Sequence, residues 1–341
     1  MIAPRRGPSA EAAHAVVLPS GLSQSAIEAM RDLFGRSMAE VAAQAKMREE
    51  DIERVTSAWS MKANFVARML SIAAPRIRSL LLEQGKPWTD IGEHVDATLF
   101  VASHLRAEPT HAHQDIAYKW NRPVDARYAY TTWLALDACG PGSGALTFGR
   151  AFPPLPIVER QDFLCQEFVD HSTTPTWRDA QFVAAVERAD MVVFDACAWH
   201  ASSAFREPGR RLALSIRWAS KSGWERAVSL PNPTIRPVSF GMDTSGALLC
   251  GLVRAACGRL AVESARGGTY ATVTELFQHH HHVVERLSAP AKRSLEDLRL
   301  ALSLEERHGG RCAPGVWRAV RDHAVPELVR LGVVEGSREL A

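Results

Sequence analysis

Apolar residues recur along this chain at two periods, and the change between them divides it into three stretches. Over residues 23–84 the spacing is helical. SQSAIEAMRDLFGRSMAEVAAQAK opens with Ser23, a residue type that caps helix starts, and sets Ile27, Met30, Leu33 and Phe34 on one face. DIERVTSAWSMKANFVARMLSIAAPRIRSLLLEQG repeats the pattern, with Pro75 expected to start or break a helix and Gly85 to end one. After Pro87 the segments become short and alternate at period two. In RYAYTTWLALD, Tyr128, Tyr130, Thr132, Leu134 and Leu136 share one face; Ala129, Thr131, Trp133 and Ala135 share the other. ACGPGSGAL then supplies a tight turn through Gly140, Pro141, Gly142 and Gly144. ADMVVFDACAW reads as another strand. RRLALSIRWAS sets Leu212, Leu214, Ile216 and Trp218 against Arg211, Ala213, Ser215 and Arg217.

Several short strands separated by turns predict a mainly β core, a sandwich or barrel such as a jelly roll. From about residue 245 helical spacing returns in TVTELFQHHHHVVERL, SLEDLRLALSLEER and PGVWRAVRDHAVPELVRLG. The expected layout is a flexible lead-in over 1–22, a helical region over 23–92, a β core over 93–240 and a helical region over 241–341. The helical flanks should pack on the core, and no repeat of solenoid period is present.

Composition narrows the function. The 341 residues are 46% hydrophobic with a net charge of +2, which excludes a disordered chain. The charges are mixed along the sequence, so nucleic acid is not an expected partner. No apolar run approaches the roughly 20 residues that span a bilayer, so no membrane is expected either. The N-terminal stretch lacks the apolar segment of an export signal. The six cysteines include no C-x-x-C pair, which argues against a zinc knuckle or redox motif. A cytoplasmic protein, monomeric or homodimeric, acting on a small molecule is expected.

The chemistry concentrates in THAHQDIAYKW. His113 and Asp115 are two apart, so on extended backbone they point to one side and can reach a single ion. Such a pair alone is weak evidence. His200 follows the strand ADMVVFDACAW, and Arg211 comes eleven residues later. Two histidines and a carboxylate make the facial triad that leaves open positions on Fe(II). Arg211 offers a planar cation suited to a carboxylate, and Ser202 a second hydrogen bond. A zinc hydrolase would use the same triad but would leave Arg211 without a role.

HQDIAYKW, TTWLALDACGPGSGALTFG and ADMVVFDACAWHASSAFREPGRRLALSIRW together resemble the phytanoyl-CoA dioxygenase family over roughly residues 93–220. The family pattern falls on His113, Asp115, Trp133, Leu136, Gly144, His200 and Arg211. The resemblance implies a double-stranded β-helix (jelly roll, cupin-like) flanked by helices. It also implies an Fe(II)- and 2-oxoglutarate-dependent dioxygenase that consumes O₂. His113, Asp115 and His200 would be the catalytic iron ligands. Arg211, with Ser202, would hold the distal carboxylate of 2-oxoglutarate. Related halogenases replace the carboxylate ligand with a small residue, so Asp115 favours hydroxylation, in natural-product or amino-acid metabolism. The chain departs from the family after the turn, where TFGRAFPP carries Gly149 and Arg150 but no matching His.

Other residues stay open. Tyr118, Lys119, Trp120 and Arg127 run beside the family's iron pocket and are candidates for substrate binding; Lys119 or Arg127 would suit a carboxylate-bearing substrate. Ser103, His104 and Arg106 compete as a further cosubstrate contact, and strand alternation favours Arg211 over Arg210. His111 reads as a neighbour of the site, Arg217 as structural, and His279 to His282 as a solvated helix face, since four consecutive histidines cannot face one ion. The alternatives are a cupin-type metal-dependent hydrolase or isomerase, and a non-catalytic β-barrel binding protein.

Overall fold

The computed structural model describes residues 15–105, 115, 129–149, 181–196, 198, 200–229 and 281–331. The N-terminal part comprises β1 (Ala15–Pro19), α1 (Gln24–Ala45), α2 (Glu49–Val55), β2 (Thr56–Ser60) and α3 (Asn64–Gln84). The core adds β3 (Ile91–Ser103), β4 (Tyr130–Ala135), β5 (Leu146–Gly149), β6 (Gln181–Ala184), β7 (Asp190–Asp195), β8 (His200–Ser202) and β9 (Arg210–Ser220). Helix α4 (Lys221–Ser229) follows, then α5 (His281–Glu285), α6 (Ala289–His308), β10 (Gly310–Cys312) and α7 (Pro314–Ala319). A π-helical turn, Val320–Ala324, leads into α8 (Val325–Arg330).

Among the described residues, seven strands form one antiparallel sheet in the order β1-β7-β4-β9-β3-β2-β10, and three form a second, β6-β5-β8. This is a mainly β core of jelly-roll type with helices added. Both faces of the larger sheet are covered. On β9, Leu212, Leu214, Ile216 and Trp218 join the core shared with α1 and α3, including Met30, Phe34, Met69 and Ile77. Ala213, on the opposite face, joins a smaller core between the sheets with Trp133, Ala135, Leu146, Phe148, Val192 and Phe194. The polar tip of Trp218 on that side is satisfied: its Nε1 donates to Thr132 Oγ1 at 2.9 Å.

The helices obey local rules. Ser23 Oγ accepts from the Ala26 N–H at 3.2 Å and caps α1. Gly85, at φ +79°, ends α3. Pro75 does not break that helix, contrary to expectation. It sits on the solvent-exposed face between the buried pair Ala73–Ala74 and the buried Ile77, so water can satisfy the carbonyl it leaves free.

Three short strands correct the expected layout. Ala15–Pro19 is an edge strand on β7 where a flexible lead-in was expected over 1–22, and Pro19 is tolerated at its end because an edge lacks a second partner. Thr56–Ser60 is a strand inside the expected helical region. Ile52, Val55 and Trp59 continue helical spacing across the boundary and hide it, but Trp59 packs on Phe65 and pairs with Leu99 of β3. Gly310–Cys312 adds a strand within the C-terminal helices. The boundary expected at 240/241 lies outside the described residues, as do His279 and His280. His281 and His282 are exposed on α5, and Val283 and Val284 carry its packing. Among the described residues, no helix is long and apolar enough to cross a membrane.

Candidate active site

The smaller core ends in a polar cluster built by β4, β5, β7, β8 and β9. His200 opens β8, in register with Phe148 of β5. Its buried ring is held by Phe194 of β7 and Phe148, at centroid distances of 4.7 and 6.0 Å. Nδ1 lies 3.0 Å from the Ala198 carbonyl oxygen. A carbonyl only accepts, so Nδ1 carries a proton, and in the neutral ring Nε2 presents a lone pair.

That lone pair faces a carboxylate. His200 Nε2 is 3.9 Å from Asp115 Oδ1. The separation is too long for a hydrogen bond. Two ligand bonds of about 2.0–2.2 Å reach at most about 4.2 Å, so one ion is within reach of both atoms, and ligands at right angles on it would stand nearer, about 3 Å apart. Imidazole and carboxylate together favour a first-row divalent metal. Asp115 is buried, and its other oxygen, Oδ2, accepts from Thr131 Oγ1 at 2.9 Å. The expected third ligand, His113, lies outside the described residues, as do His111, Tyr118, Lys119, Trp120 and Arg127. Among the described residues no three potential ligands converge.

Arg211 enters the same interior from β9. It is 5% exposed, and its guanidinium carbon lies 4.8 Å over the Trp133 ring. Nη2 donates to the Gly144 carbonyl at 2.6 Å. Nε and Nη1 are buried without a hydrogen-bond partner, and no described carboxylate pairs with the side chain. The nearby Asp137 is committed elsewhere, to Arg31 Nε at 2.9 Å and the Leu212 N–H at 2.9 Å. Burial lowers the pKa of Arg211, opposed by the charges of Cys139 and Asp137. A buried cation with idle donors costs on the order of several kcal/mol unless an anion completes it. One carboxylate of a dicarboxylic acid fits this requirement.

The neighbours sort accordingly. Arg210 points the other way, to Glu53 at 2.6 Å and over the Phe34 ring. Ser202 lies opposite Leu146 of β5, on the face of His200, and is half-buried. Next to it, Ser203 Oγ is buried without a hydrogen-bond partner. Ser103 lies in register with Arg210 and accepts from the Leu105 N–H at 3.2 Å, while His104 is tied to Gly209. Ser103 thus shares the face of Arg210 and not that of Arg211, and Arg106 lies outside the described residues. Arg217 is buried against Thr98 at 2.9 Å and Asp96 at 3.6 Å. Thr131 and Ser203 were not singled out in the sequence: one was only a strand-face position and the other stood beside a better-spaced serine.

Gly144 matters through its missing side chain. Its φ is +76°, and a Cβ there would stand 2.6 Å from Arg211 Nη2. The turn glycine, the stacked tryptophan and the strand arginine thus form one clamp. The sequence model for the phytanoyl-CoA dioxygenase family matches residues 15–213, more than half of the chain. The chain belongs to the phytanoyl-CoA dioxygenase family. It is accordingly a 2-oxoglutarate-dependent non-haem iron enzyme that uses Fe(II), 2-oxoglutarate and O₂.

The match to the phytanoyl-CoA dioxygenase family takes in β1 and α1–α3, beyond residues 93–220. Among curated proteins none matches the chain. Similar solved structures include SnoK, a non-haem α-ketoglutarate-dependent carbocyclase from nogalamycin biosynthesis: 15% identity, 67% of this chain, 92% of that one, TM-score 0.46. EctD from S. alaskensis, with 2-oxoglutarate and 5-hydroxyectoine, shows 15% identity over 65% of this chain and 77% of that one, TM-score 0.46. EvdO2 from Micromonospora carbonacea var. aurantiaca, complexed with 2-oxoglutarate, shows 15% identity over 62% and 88%, TM-score 0.44. Likeness at this level adds nothing to the family match.

Proposed function

We propose that this oxygenase hydroxylates, or otherwise oxidises, an unactivated C–H bond of a small molecule in natural-product or amino-acid metabolism. In this reading His113, Asp115 and His200 hold Fe(II). Arg211, with Ser202, binds the distal carboxylate of 2-oxoglutarate. Tyr118, Lys119, Trp120 and Arg127 contact substrate, and a carboxylate on the substrate would meet Lys119 or Arg127. When bound, iron supplies the oxidative decarboxylation of 2-oxoglutarate to succinate and CO₂, coupled to insertion of the second oxygen of O₂ into substrate.

The observation that carries the reading is Arg211. Its buried Nε and Nη1 need an anion, and they sit in the same interior as the facing His200 and Asp115. A hydrolase or isomerase on the same metal would have no use for that cation. A non-catalytic binding protein would have no use for a buried histidine and a buried carboxylate facing each other in that interior. The chain's own contributions are positional. Trp133 and Gly144 fix Arg211, the Ala198 carbonyl fixes the proton of His200 on Nδ1, and Phe148 and Phe194 exclude water from that ring.

Anaerobic addition of Fe(II) and 2-oxoglutarate should give a weak visible charge-transfer band, and His200→Ala should abolish it. Wild-type protein that gives neither the band nor succinate under air would sink the reading.

A further inference from the structure

Thr131 is the second residue of β4, a strand hydrogen-bonded on both sides. Its register partners are Phe194 of β7 and Arg217 of β9. The side chain is 1% exposed, and its hydroxyl donates to Asp115 Oδ2 at 2.9 Å, which leaves Oδ1 as the oxygen facing His200 Nε2. Ionised carboxylate only accepts, so this hydroxyl is a donor with a fixed target on a fixed backbone. The consequence is one of coordination number. A facial triad leaves three open positions on a six-coordinate ion, and a chelating 2-oxo acid and O₂ need all three. If both oxygens of Asp115 bound the metal, one of those positions would be lost.

We infer that Thr131 is a positioning residue of the iron site, whose hydroxyl ties up Asp115 Oδ2 and so limits the carboxylate to coordination through Oδ1. The inference rests on the iron reading above and assigns Thr131 the task of keeping the O₂ position open. Outer-shell partners of this kind are typically worth about 10–100-fold in metal affinity or activity.

The test compares wild type, Thr131→Val and Thr131→Ser anaerobically, with Fe(II) and 2-oxoglutarate. The charge-transfer band reports loading, and nitric oxide then probes the O₂ position through the paramagnetic resonance signal of its iron complex. At equal loading and limiting nitric oxide, Thr131→Val should show about tenfold less signal per bound iron, and Thr131→Ser should match wild type. Loss of iron loading in Thr131→Val that Thr131→Ser restores supports the same positioning role. Nitric oxide uptake by Thr131→Val equal to that of wild type overturns it. Should Thr131→Val fail to fold, Thr131→Ser decides, because a tenfold-weaker signal there overturns the inference. Wild type that binds no Fe(II) overturns both the iron reading and this inference, whereas a difference confined to the variants bears on Thr131 alone.

Discussion

Replacing Gly144 by alanine adds one methyl group, and the structure says what it meets. The new Cβ would stand 2.6 Å from Arg211 Nη2, 3.2 Å from its Nε and 3.3 Å from Ala102 Cβ. Arg211 cannot retreat freely, because Trp133 lies beneath it, and Ala102 is its register partner on β3. The backbone also objects: φ of +76° costs a non-glycine residue about 1–2 kcal/mol. Displacing Nη2 from the Gly144 carbonyl forfeits a charged hydrogen bond worth about 1.5–3 kcal/mol. Together these come to about 2.5–5 kcal/mol, which for a chain of this length is a fall in melting temperature of about 3–7 °C. The shifted guanidinium should also weaken 2-oxoglutarate binding by about 10–100-fold, at 1.4 kcal/mol per tenfold. Iron affinity without 2-oxoglutarate should stay within about twofold, because Gly144 lies outside the contacts that fix His200 and Asp115. Differential scanning fluorimetry and anaerobic titration of the charge-transfer band measure all three. A variant that melts and binds like wild type refutes the steric argument. One that melts early but binds 2-oxoglutarate normally refutes the role of Arg211.

Two other groups make simple tests. Asp90 accepts from the Ser222 N–H and the hydroxyls of Ser220 and Ser222, around the first turn of α4. Desolvation opposes ionisation, but these bonds outweigh it and the carboxyl pKa falls below 3.8. Asp90→Ala should cost about 1 kcal/mol at neutral pH. Because the folded pKa is the depressed one, that gap should hold above about pH 4 and close as pH falls through it; chemical denaturation across pH would show a flat gap if the reasoning is wrong. Cys139 is buried, and desolvation pushes its thiol pKa up despite the charge of Arg211. Iodoacetamide at pH 8 should leave it unmodified in native protein and alkylate it in urea, as read by peptide mass spectrometry; rapid native labelling would contradict its placement.

What the sequence disclosed depended on whether its signal was local. The alternation of β9 places Leu212, Leu214, Ile216 and Trp218 on the helical face and Arg211 on the other, and the structure has them so. The cap at Ser23 and the stop at Gly85 were equally readable, since each acts within one turn. β2 was not, because Ile52, Val55 and Trp59 happen to keep helical spacing while the chain has already become extended. β1 and β10 are too short to show a period and exist only through their partners. In the site, the spacing of His200 and Arg211 was legible, but the donor on Asp115 was not. Thr131 meets Asp115 only after β4 has been laid between β7 and β9, and no local pattern encodes that.

The larger sheet has no idle face where the site is built. All six residues of β4 are buried, and β9 is buried from Arg211 to Trp218. A slip of one residue in β9 would push Arg211 among the leucines on the helical side and turn Leu212 toward Trp133. Such strands cannot drift by insertion or deletion, nor take on new side chains one at a time. Descendants of this chain that acquire other substrates must therefore do so through the segments between strands, and a directed-evolution library placed there would sample specificity while leaving the chemistry standing.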